Sequence, residues 1–233
     1  MDEREIVVAH SSDLHIGGGA AIDRFHPLCR VLDTAREVEA DILVLAGDIF
    51  DHNRLPLSVL DQVARKLQDA GIPIVILPGN HDCITPESVY RRGGVQDVPG
   101  VSVIGLEGES FTFGELDVEL WGKAHFDYQN MSPLSAPPDE RAARWRIAVA
   151  HGHYLAEAQD AHRGWLFDDD DIAATEADYV ALGHWPGPTP VGRGEIPAYY
   201  CGSPDLAQTI NVVRLRRNGP AEVSRRPLAK NGH

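Results

Sequence analysis

The chain of 233 residues has little of what membrane-spanning or secreted proteins need. No apolar stretch approaches the roughly 20 residues that cross a bilayer. The N-terminus, residues 1–5, lacks the basic and apolar regions of a signal peptide. We therefore expect no membrane association and a cytoplasmic location.

Cysteine and positive charge are also scarce. The three cysteines, Cys29, Cys83 and Cys201, are an odd number at no metal-binding spacing. They are typical of reduced core or loop residues, so we expect no disulfide. The formal net charge of −14 weighs against a broad nucleic-acid-binding surface, because affinity for phosphate backbones depends on Lys and Arg. Short nucleic-acid substrates stay compatible with it.

What the chain has is a repeated pairing of an apolar run with a metal-ligand type of side chain. The runs are Ile6 to Ala9, Ile42 to Ala46, Ile72 to Leu77, Ile147 to Ala150 and Tyr179 to Leu182. Runs that are apolar throughout indicate strands buried on both faces. Ligands of open α/β sheets gather where loops leave the carboxyl ends of such strands. All five runs therefore point to one site.

The first third of the chain alternates strand and helix. Helical spacing predicts helices over Ile22 to Glu39 and over Leu57 to Ala70, with Ser58 as N-cap of the second and Gly71 at its exit. These helices make βαβ units with the strands around them. No linker or repeat is visible, so we predict one domain over residues 1–233.

Later segments have a different pattern. Glycine-punctuated short strands from Val101 to Trp121 predict antiparallel hairpins. The acidic run Asp168 to Asp171 is interpreted as the cap of a helix. We predict a closing antiparallel set from three further strands: Ala198 to Tyr200, Ile210 to Leu215 and Ala221 to Arg225.

The polar residues suit two metal ions. Asp13 and His15 lie two apart, so both side chains point to one face and can hold a first cation. The two oxygens of Asp48 can bridge two cations about 3.5–4 Å apart. A carboxamide oxygen and two imidazoles are available for the second cation: Asn80, His151 and His184. Mixed oxygen and nitrogen ligands suit Mn, Fe, Zn or Co better than Ca.

Each residue alone has a simpler interpretation. Asp13 or Asp48 can cap a turn, and His151 or His184 can be a buried core histidine. Independent turn caps have no reason to recur at five strand ends, however, so the set as a whole favours a metal site.

The motifs resemble those of the calcineurin-like metallophosphoesterase superfamily over about residues 6–204. They are Ser12-Asp13-Leu14-His15-Ile16-Gly17, Ala46-Gly47-Asp48-Ile49-Phe50-Asp51, Leu77-Pro78-Gly79-Asn80-His81-Asp82, His151-Gly152-His153, Gly183-His184 and Tyr200-Cys201-Gly202-Ser203-Pro204. Their wording is most similar to the SbcD-like nuclease and phosphodiesterase branch. The resemblance implies an α/β fold, a four-layered α/β/β/α sandwich with mixed sheets.

The resemblance also implies a mechanism. Two divalent ions, manganese first with iron, zinc or cobalt as alternatives, would hold a bridging hydroxide that attacks phosphorus. His81 would be the general acid, with Asp51 orienting its imidazole and keeping it charged. In many members a second histidine follows His184 by two and binds the first metal. Pro186 stands there in this chain, so the first site is expected to be weaker.

Three further residues are candidates for substrate contact. His153 either touches the substrate phosphate or merely stands beside His151. His52 and Arg54 follow Asp51 and either contact a phosphate or lie in a solvated loop.

The leading hypothesis is a phosphodiesterase that acts on a small or nucleotide-type phosphoester. The SbcD-like exonucleases carry a capping region that this sequence does not show, and the net charge disfavours a DNA exonuclease acting without a partner. A phosphomonoesterase, a partner-dependent DNA exonuclease and a degenerate non-catalytic scaffold stay open as alternatives. A homo-oligomer is compatible with the sequence.

Overall fold

A computed structural model describes residues 5–18, 25–156, 163–217 and 219–230. Its first sheet contains six strands: β1 (Ile6–Ser11), β2 (Ile42–Ala46), β3 (Ile74–Leu77), β4 (Val101–Val103), β13 (Thr209–Leu215) and β14 (Glu222–Pro227). Their order is β14-β13-β1-β2-β3-β4. The strands β1 to β4 are parallel, and β13 and β14 are antiparallel additions beside β1.

The second sheet also contains six strands: β5 (Ser110–Phe113), β6 (Val118–Gly122), β7 (Trp145–His151), β10 (Tyr179–Gly183), β11 (Thr189–Val191) and β12 (Ala198–Tyr200). Their order is β11-β12-β10-β7-β6-β5, with four parallel central strands and an antiparallel strand at each edge. A short parallel pair, β8 (His153–Tyr154) and β9 (Leu166–Phe167), follows β7 in the chain.

Helices and sheets form the four layers that the resemblance implied. The helices α1 (His26–Glu37) and α2 (Leu57–Ala70) pack on the outer face of the first sheet, where Leu43 and Leu45 join their core. Ile42 and Val44 point the other way, into the core between the two sheets. The second sheet's outer face packs on α4 (Asp169–Ala174). Because β2 is buried on both faces, its sequence is apolar throughout.

Two predicted strand pairings are wrong. The segment 101–121 contains one antiparallel hairpin, β5–β6, whereas β4 pairs in parallel with β3 and buries Val101 and Val103 in the core under α1 and α2. The strand β12 is not in the closing antiparallel set either. It pairs in parallel with β10, and Tyr200 joins the outer core of the second sheet. In both cases burial against a distant element decided the pairing.

The ends of α2 and α4 follow the predictions with one exception. The N-cap of α2 is Pro56 and not Ser58, because the carbonyl of Pro56 accepts the first N–H groups of the helix, from Val59 and Leu60. Gly71 ends α2 in a left-handed conformation, as predicted. Asp168 caps α4 in a capping box, which confirms the interpretation of the acidic run.

The first helix begins later than its sequence pattern predicts. It starts at His26, and the predicted residues 22–24 lie outside the described part of the chain. Two short helices, α3 (Val89–Arg92) and α5 (Pro204–Ala207), complete the elements.

Candidate metal centre

The two sheets bring the predicted ligands together at one edge, where five strands end. The loop after β1 carries Asp13 and His15, the loop after β2 carries Asp48 and Asp51, and the loop after β3 carries Asn80 and His81. The second sheet adds two imidazoles, from His151 at the end of β7 and His184 just after β10.

The backbone at this edge is held in an uncommon conformation. Four of the predicted ligands have positive φ angles: 55° at Asp13, 46° at His15, 53° at Asp48 and 96° at His184. A residue with a Cβ rarely adopts this region, and such strain concentrates at functional sites. The surrounding loops therefore force these side chains toward one point.

The glycines that precede two of the ligands allow this approach. A Cβ at Gly79 would collide with the carboxylate of Asp48, and a Cβ at Gly183 would collide with the carbonyl of Ala46. The Gly-ligand pattern in the sequence thus reflects close packing of loops from both sheets.

One group of ligand atoms is largely buried, with Asp48 and His151 buried and His184 half-buried. Asp48, His151 and His184 each offer an atom within 4.8 Å of the others. Nε2 of His151 lies 3.1 Å from Oδ2 of Asp48 and 3.1 Å from Oδ1 of Asn80. Nδ1 of His184 lies 3.2 Å from the same Asn80 oxygen.

The chemistry of His151 fits a cation. Its Nδ1–H donates to the carbonyl of Ala46 at 2.9 Å, which leaves Nε2 facing two oxygens. Burial opposes a charged imidazole, but the Asp48 carboxylate raises the pKa of His151 to about 9. Burial likewise opposes a charged carboxylate, but His151 lowers the pKa of Asp48. A divalent cation would satisfy Nε2 and both oxygens in place of this proton.

A second group is open to solvent. His15, Asp48 and His81 also offer ligand atoms within 4.8 Å of one another. Nε2 of His15 lies 3.9 Å from Oδ2 of Asp48, and the rings of His15 and His81 meet edge to face at 4.7 Å. The two imidazole side chains are 35% and 44% exposed. Asp48 therefore belongs to both groups, as a bridging carboxylate would.

Asp13 lies beside these groups. Its carboxylate accepts the backbone N–H of His184 at 3.1 Å and the hydroxyl of Ser12. Burial raises the pKa of Asp13. The predicted first-metal ligand thus ties the loop after β1 to the loop after β10.

Asp51 and His81 meet in a different way from the one predicted. Nδ1–H of His81 donates to the backbone carbonyl of Asp51 at 2.9 Å, whereas the Asp51 carboxylate is 3.9 Å away. That carboxylate lies 3.1 Å from Nδ1 of His15. A carbonyl oxygen only accepts hydrogen bonds, so Nε2 is the nitrogen of His81 that can exchange a proton with a substrate.

Comparison with known families accords with this geometry. A model of the calcineurin-like phosphoesterase family matches residues 6–188. The chain belongs to this family. The match confirms the resemblance that the motifs carry.

Curated relatives of this family member are distant and longer. The DNA double-strand break repair protein Mre11 of Methanopyrus kandleri is 31% identical over 106 residues, 38% of this chain and 23% of that protein. The uncharacterized metallophosphoesterase YhaO of Bacillus subtilis is 26% identical over 180 residues, 69% of this chain and 40% of that protein. The chain spans less than half the length of either relative.

Solved structures share the fold of this family member. The protein TT1561 of Thermus thermophilus matches with a TM-score of 0.64 at 15% identity, over 95% of this chain and 99% of that one. The NAD nucleotidase NadN of Haemophilus influenzae matches with a TM-score of 0.55 at 12% identity, over 97% of this chain and 50% of that one.

Among the described residues, no helix has the length and apolar character of a membrane crossing.

Asp82 is a residue of the site whose role the sequence did not reveal. It is fully buried. Its carboxylate accepts four hydrogen bonds, from the N–H groups of Gly79, Ile49 and Phe50 and from the hydroxyl of Tyr90. Burial, together with Asp48, raises the pKa of Asp82 to about 6. It thereby joins the loops that carry Asp48 and Asn80. Its position directly after the Gly-Asn-His string was the sequence feature that could have indicated this role.

His125 is a second such residue. Its Nε2–H donates to the carbonyl of His151 at 2.8 Å, which holds the backbone of that ligand. Burial lowers the pKa of His125 to about 4, so it is neutral near pH 7. An isolated histidine shortly after β6 gave no motif from which this could be inferred.

The three residues predicted to contact substrate lie in two different surroundings. His153 is buried beside the metal centre, with its ring 6.4 Å from that of His184. Nδ1 of His52 accepts the N–H of Arg54 at 3.2 Å, so these two residues form a local turn. Neither of the two belongs to the ligand groups found in the described part of the chain.

Pro186 stands at the position where many family members have a metal-binding histidine, and it has a structural role there. Its carbonyl accepts the N–H of Ser203 at 3.1 Å. This bond joins the loop after β10 to the segment before α5.

Proposed function

We propose that this chain is a metal-dependent phosphodiesterase for a small or nucleotide-type substrate. The observation that carries the proposal is that Asp48 belongs both to a buried and to an exposed group of ligand atoms, with His81 at the exposed side. In this proposal Asp13, His15 and Asp48 hold the first ion. The second ion is held by Asp48 and three further ligands: Asn80, His151 and His184.

We propose manganese, with iron, zinc or cobalt as alternatives, because all four suit a donor set that mixes carboxylate, carboxamide and imidazole ligands better than calcium does. When bound, the two ions would supply charge neutralisation at the phosphate and activation of the attacking water. The chain's own residues orient these ligands: the carbonyl of Ala46 fixes the ring of His151, and His125 fixes its backbone.

His81 is proposed to protonate the leaving oxygen. Its side chain is 44% exposed, so Nε2 can reach a bound ester. The Asp51 carbonyl holds Nδ1–H and sets the ring orientation, while the Asp51 carboxylate is proposed to position His15. This assigns Asp51 a positioning role for both imidazoles.

The first experiment is hydrolysis by metal-stripped protein with and without added Mn. The diester bis(p-nitrophenyl) phosphate and the monoester p-nitrophenyl phosphate serve as paired substrates. We expect Mn-dependent turnover, faster on the diester. A preference for the monoester would replace the diesterase by a phosphomonoesterase. Inert protein across several metals would favour a non-catalytic scaffold.

The role of His81 has its own test. His81→Ala should lower kcat by about 10²–10⁴-fold on an ester with an alkoxide leaving group, with metals still bound. The loss should be much smaller with p-nitrophenolate, which leaves without a proton. An equal loss on both esters would contradict the assigned acid role.

A second candidate function is a nuclease that needs a partner, and the similarity to Mre11 repair proteins favours it. The charge distribution disfavours autonomous DNA binding. Two arginines of the β13–β14 hairpin are paired with acidic side chains, Arg216 with Glu222 at 2.7 Å and Arg226 with Glu37 at 3.7 Å. Cleavage of an end-labelled oligonucleotide by the chain alone would overturn the preference for small substrates.

A further inference from the structure

A cavity of about 410 Å³ opens beside the metal centre. Its volume falls within the range of about 300–1,000 Å³ that is typical of small-molecule pockets. Four ring-bearing residues, His153, Tyr154, Trp185 and Tyr200, contribute to its lining, and Arg163 adds a positive charge.

The cavity is continuous with the proposed ligands. The ring of His153 lies 6.4 Å from that of His184 on one side and 5.6 Å from that of Trp185 on the other. A phosphoester bound at His184 would therefore extend one substituent past His153 into the cavity. The cavity is placed to select that substituent.

The lining is aromatic, and the tyrosine hydroxyls are already engaged. The hydroxyl of Tyr154 donates to Asp169 at 2.7 Å, and that of Tyr200 donates to the carbonyl of Gly152 at 2.7 Å. Trp185 is 39% exposed and has a large open ring. Such a wall favours a planar aromatic group, because aromatic side chains stack on the π-face of any base.

A polar strip completes the cavity. The strand β11 supplies Thr189 and Val191 and lies at the edge of the second sheet. An edge strand presents backbone groups on the side that carries no neighbouring strand, although Pro190, the middle residue of β11, has no N–H to donate. The carbonyl groups of this edge can accept hydrogen bonds from the N–H groups of a nucleobase, whereas an aliphatic chain could not use them.

Trp185 is fixed relative to the metal centre. It follows His184 directly and precedes Pro186, and a residue before proline is restricted to extended conformations. The carbonyl of Pro186 is held by the N–H of Ser203 at 3.1 Å. The Trp-Pro pair therefore restricts the backbone that carries the indole ring, and this ring meets that of His153 edge to face at 5.6 Å.

We propose that this cavity binds the nucleobase of a nucleotidyl phosphodiester, with Trp185 as the stacking residue that determines specificity. This inference rests on the proposed function for the position of the phosphate. The proposed substrate is therefore a phosphodiester in which the ester substituent that enters the cavity is a nucleoside.

The kinetic test uses two esters with the same leaving group, thymidine 5′-(p-nitrophenyl phosphate) and methyl p-nitrophenyl phosphate. The wild type should prefer the nucleoside ester in kcat/KM. Trp185→Ala should reduce this preference by roughly tenfold, mainly through KM. Trp185→Phe should retain most of it. Leu206→Ala, which truncates an exposed residue of α5 (73% exposed), is the matched control and should leave the preference intact.

A binding test separates this inference from the proposed function. Saturation-transfer NMR on metal-free protein compares the binding of two probes. Adenosine has a nucleobase but no phosphate, and cyclohexanol is aliphatic. We expect a signal for adenosine that Trp185→Ala abolishes and Trp185→Phe keeps. If no ester is hydrolysed but adenosine binds in this way, the enzyme proposal fails and the cavity assignment stands. If both esters are hydrolysed equally and adenosine does not bind, or cyclohexanol binds better, the cavity assignment is overturned.

Discussion

The two ligand groups share Asp48 but differ in their exposure to solvent. His151, in the buried group, has its Nδ1 held by the carbonyl of Ala46 and its backbone held by His125. His15 and His81, in the exposed group, have side chains that are 35% and 44% exposed. Hydrogen bonds orient the rings of both groups, since Asp51 holds His15 and His81. The groups therefore differ in how far solvent reaches their donor atoms.

This difference separates two tasks of one site. Buried donor atoms meet less competition and less screening from water, so the buried group should hold its ion more tightly. The exposed group borders the space that a substrate enters, and His81 faces it. We therefore expect the ion on the side of the second sheet to be retained. The ion on the side of the first sheet is expected to contact the substrate and to exchange with solvent.

The largest expected effect comes from Asp48→Asn, because this change removes the charge that both groups share. Mn-dependent turnover should fall by roughly 10³-fold or more, the loss expected when a unit of interacting groups is broken. Calorimetric titration should show weakened binding of both ions. Asp61→Asn, at an exposed position of α2, is the control. Loss of one ion only would show that Asp48 does not serve both groups.

Asp82→Ala should act on both groups through the fold. Four hydrogen bonds to a buried carboxylate are lost together. Each buried donor left without a partner costs about 1–3 kcal/mol, so we expect the loss of all four bonds to cost about 3–5 kcal/mol of unfolding free energy, after the relief of repulsion from Asp48. Urea unfolding of the metal-free protein measures it, with Asp61→Ala expected within about 0.5 kcal/mol of wild type. A cost below about 1 kcal/mol would mean that the two loops do not depend on Asp82.

The sequence predicted the local part of this architecture well. Each ligand directly follows its own apolar run, so chain proximity alone indicated that Asp48 or His184 stands at a strand end. Pairings that depend on distant partners were not predictable in the same way. The strand β12 joined β10 because Tyr200 packs on the outer face of the second sheet, and no local pattern contains that contact. The network of Asp82 and the cavity at Trp185 likewise exist only after the loops meet.

A paired substitution tests the difference between the groups directly. His151→Ala should weaken the tighter Mn site by at least about 100-fold, because even the loss of an outer partner of a ligand costs 10–100-fold. His15→Ala should leave the tighter site intact and weaken the other one. Calorimetric titration of Mn into each variant gives both constants. A greater loss in His15→Ala than in His151→Ala would reverse the assignment of the tight site.

The smallest expected effect is the release of a proton when an ion binds to the buried group. In the metal-free protein the pKa of His151 is raised to about 9, so at lower pH its Nε2 carries a proton that an incoming ion must displace. Affinity of the tight site should therefore fall by about tenfold for each pH unit below that pKa. Burial, and then His151, lowers the pKa of His184 to about 4, so His184 adds no proton near neutrality.

Calorimetry at neutral pH in two buffers of different ionisation enthalpy counts these protons. One proton released for each tightly bound ion is the expected result, and His151→Ala should remove that release together with the tight site. Zero protons would mean that the Asp48–His151 pair does not hold one. Two protons would mean that a second group of the site also loses a proton when the ion binds, with Asp13 as the first candidate because burial raises its pKa. In that case the linkage would not mark the buried group alone, because Asp13 is a proposed ligand of the first ion.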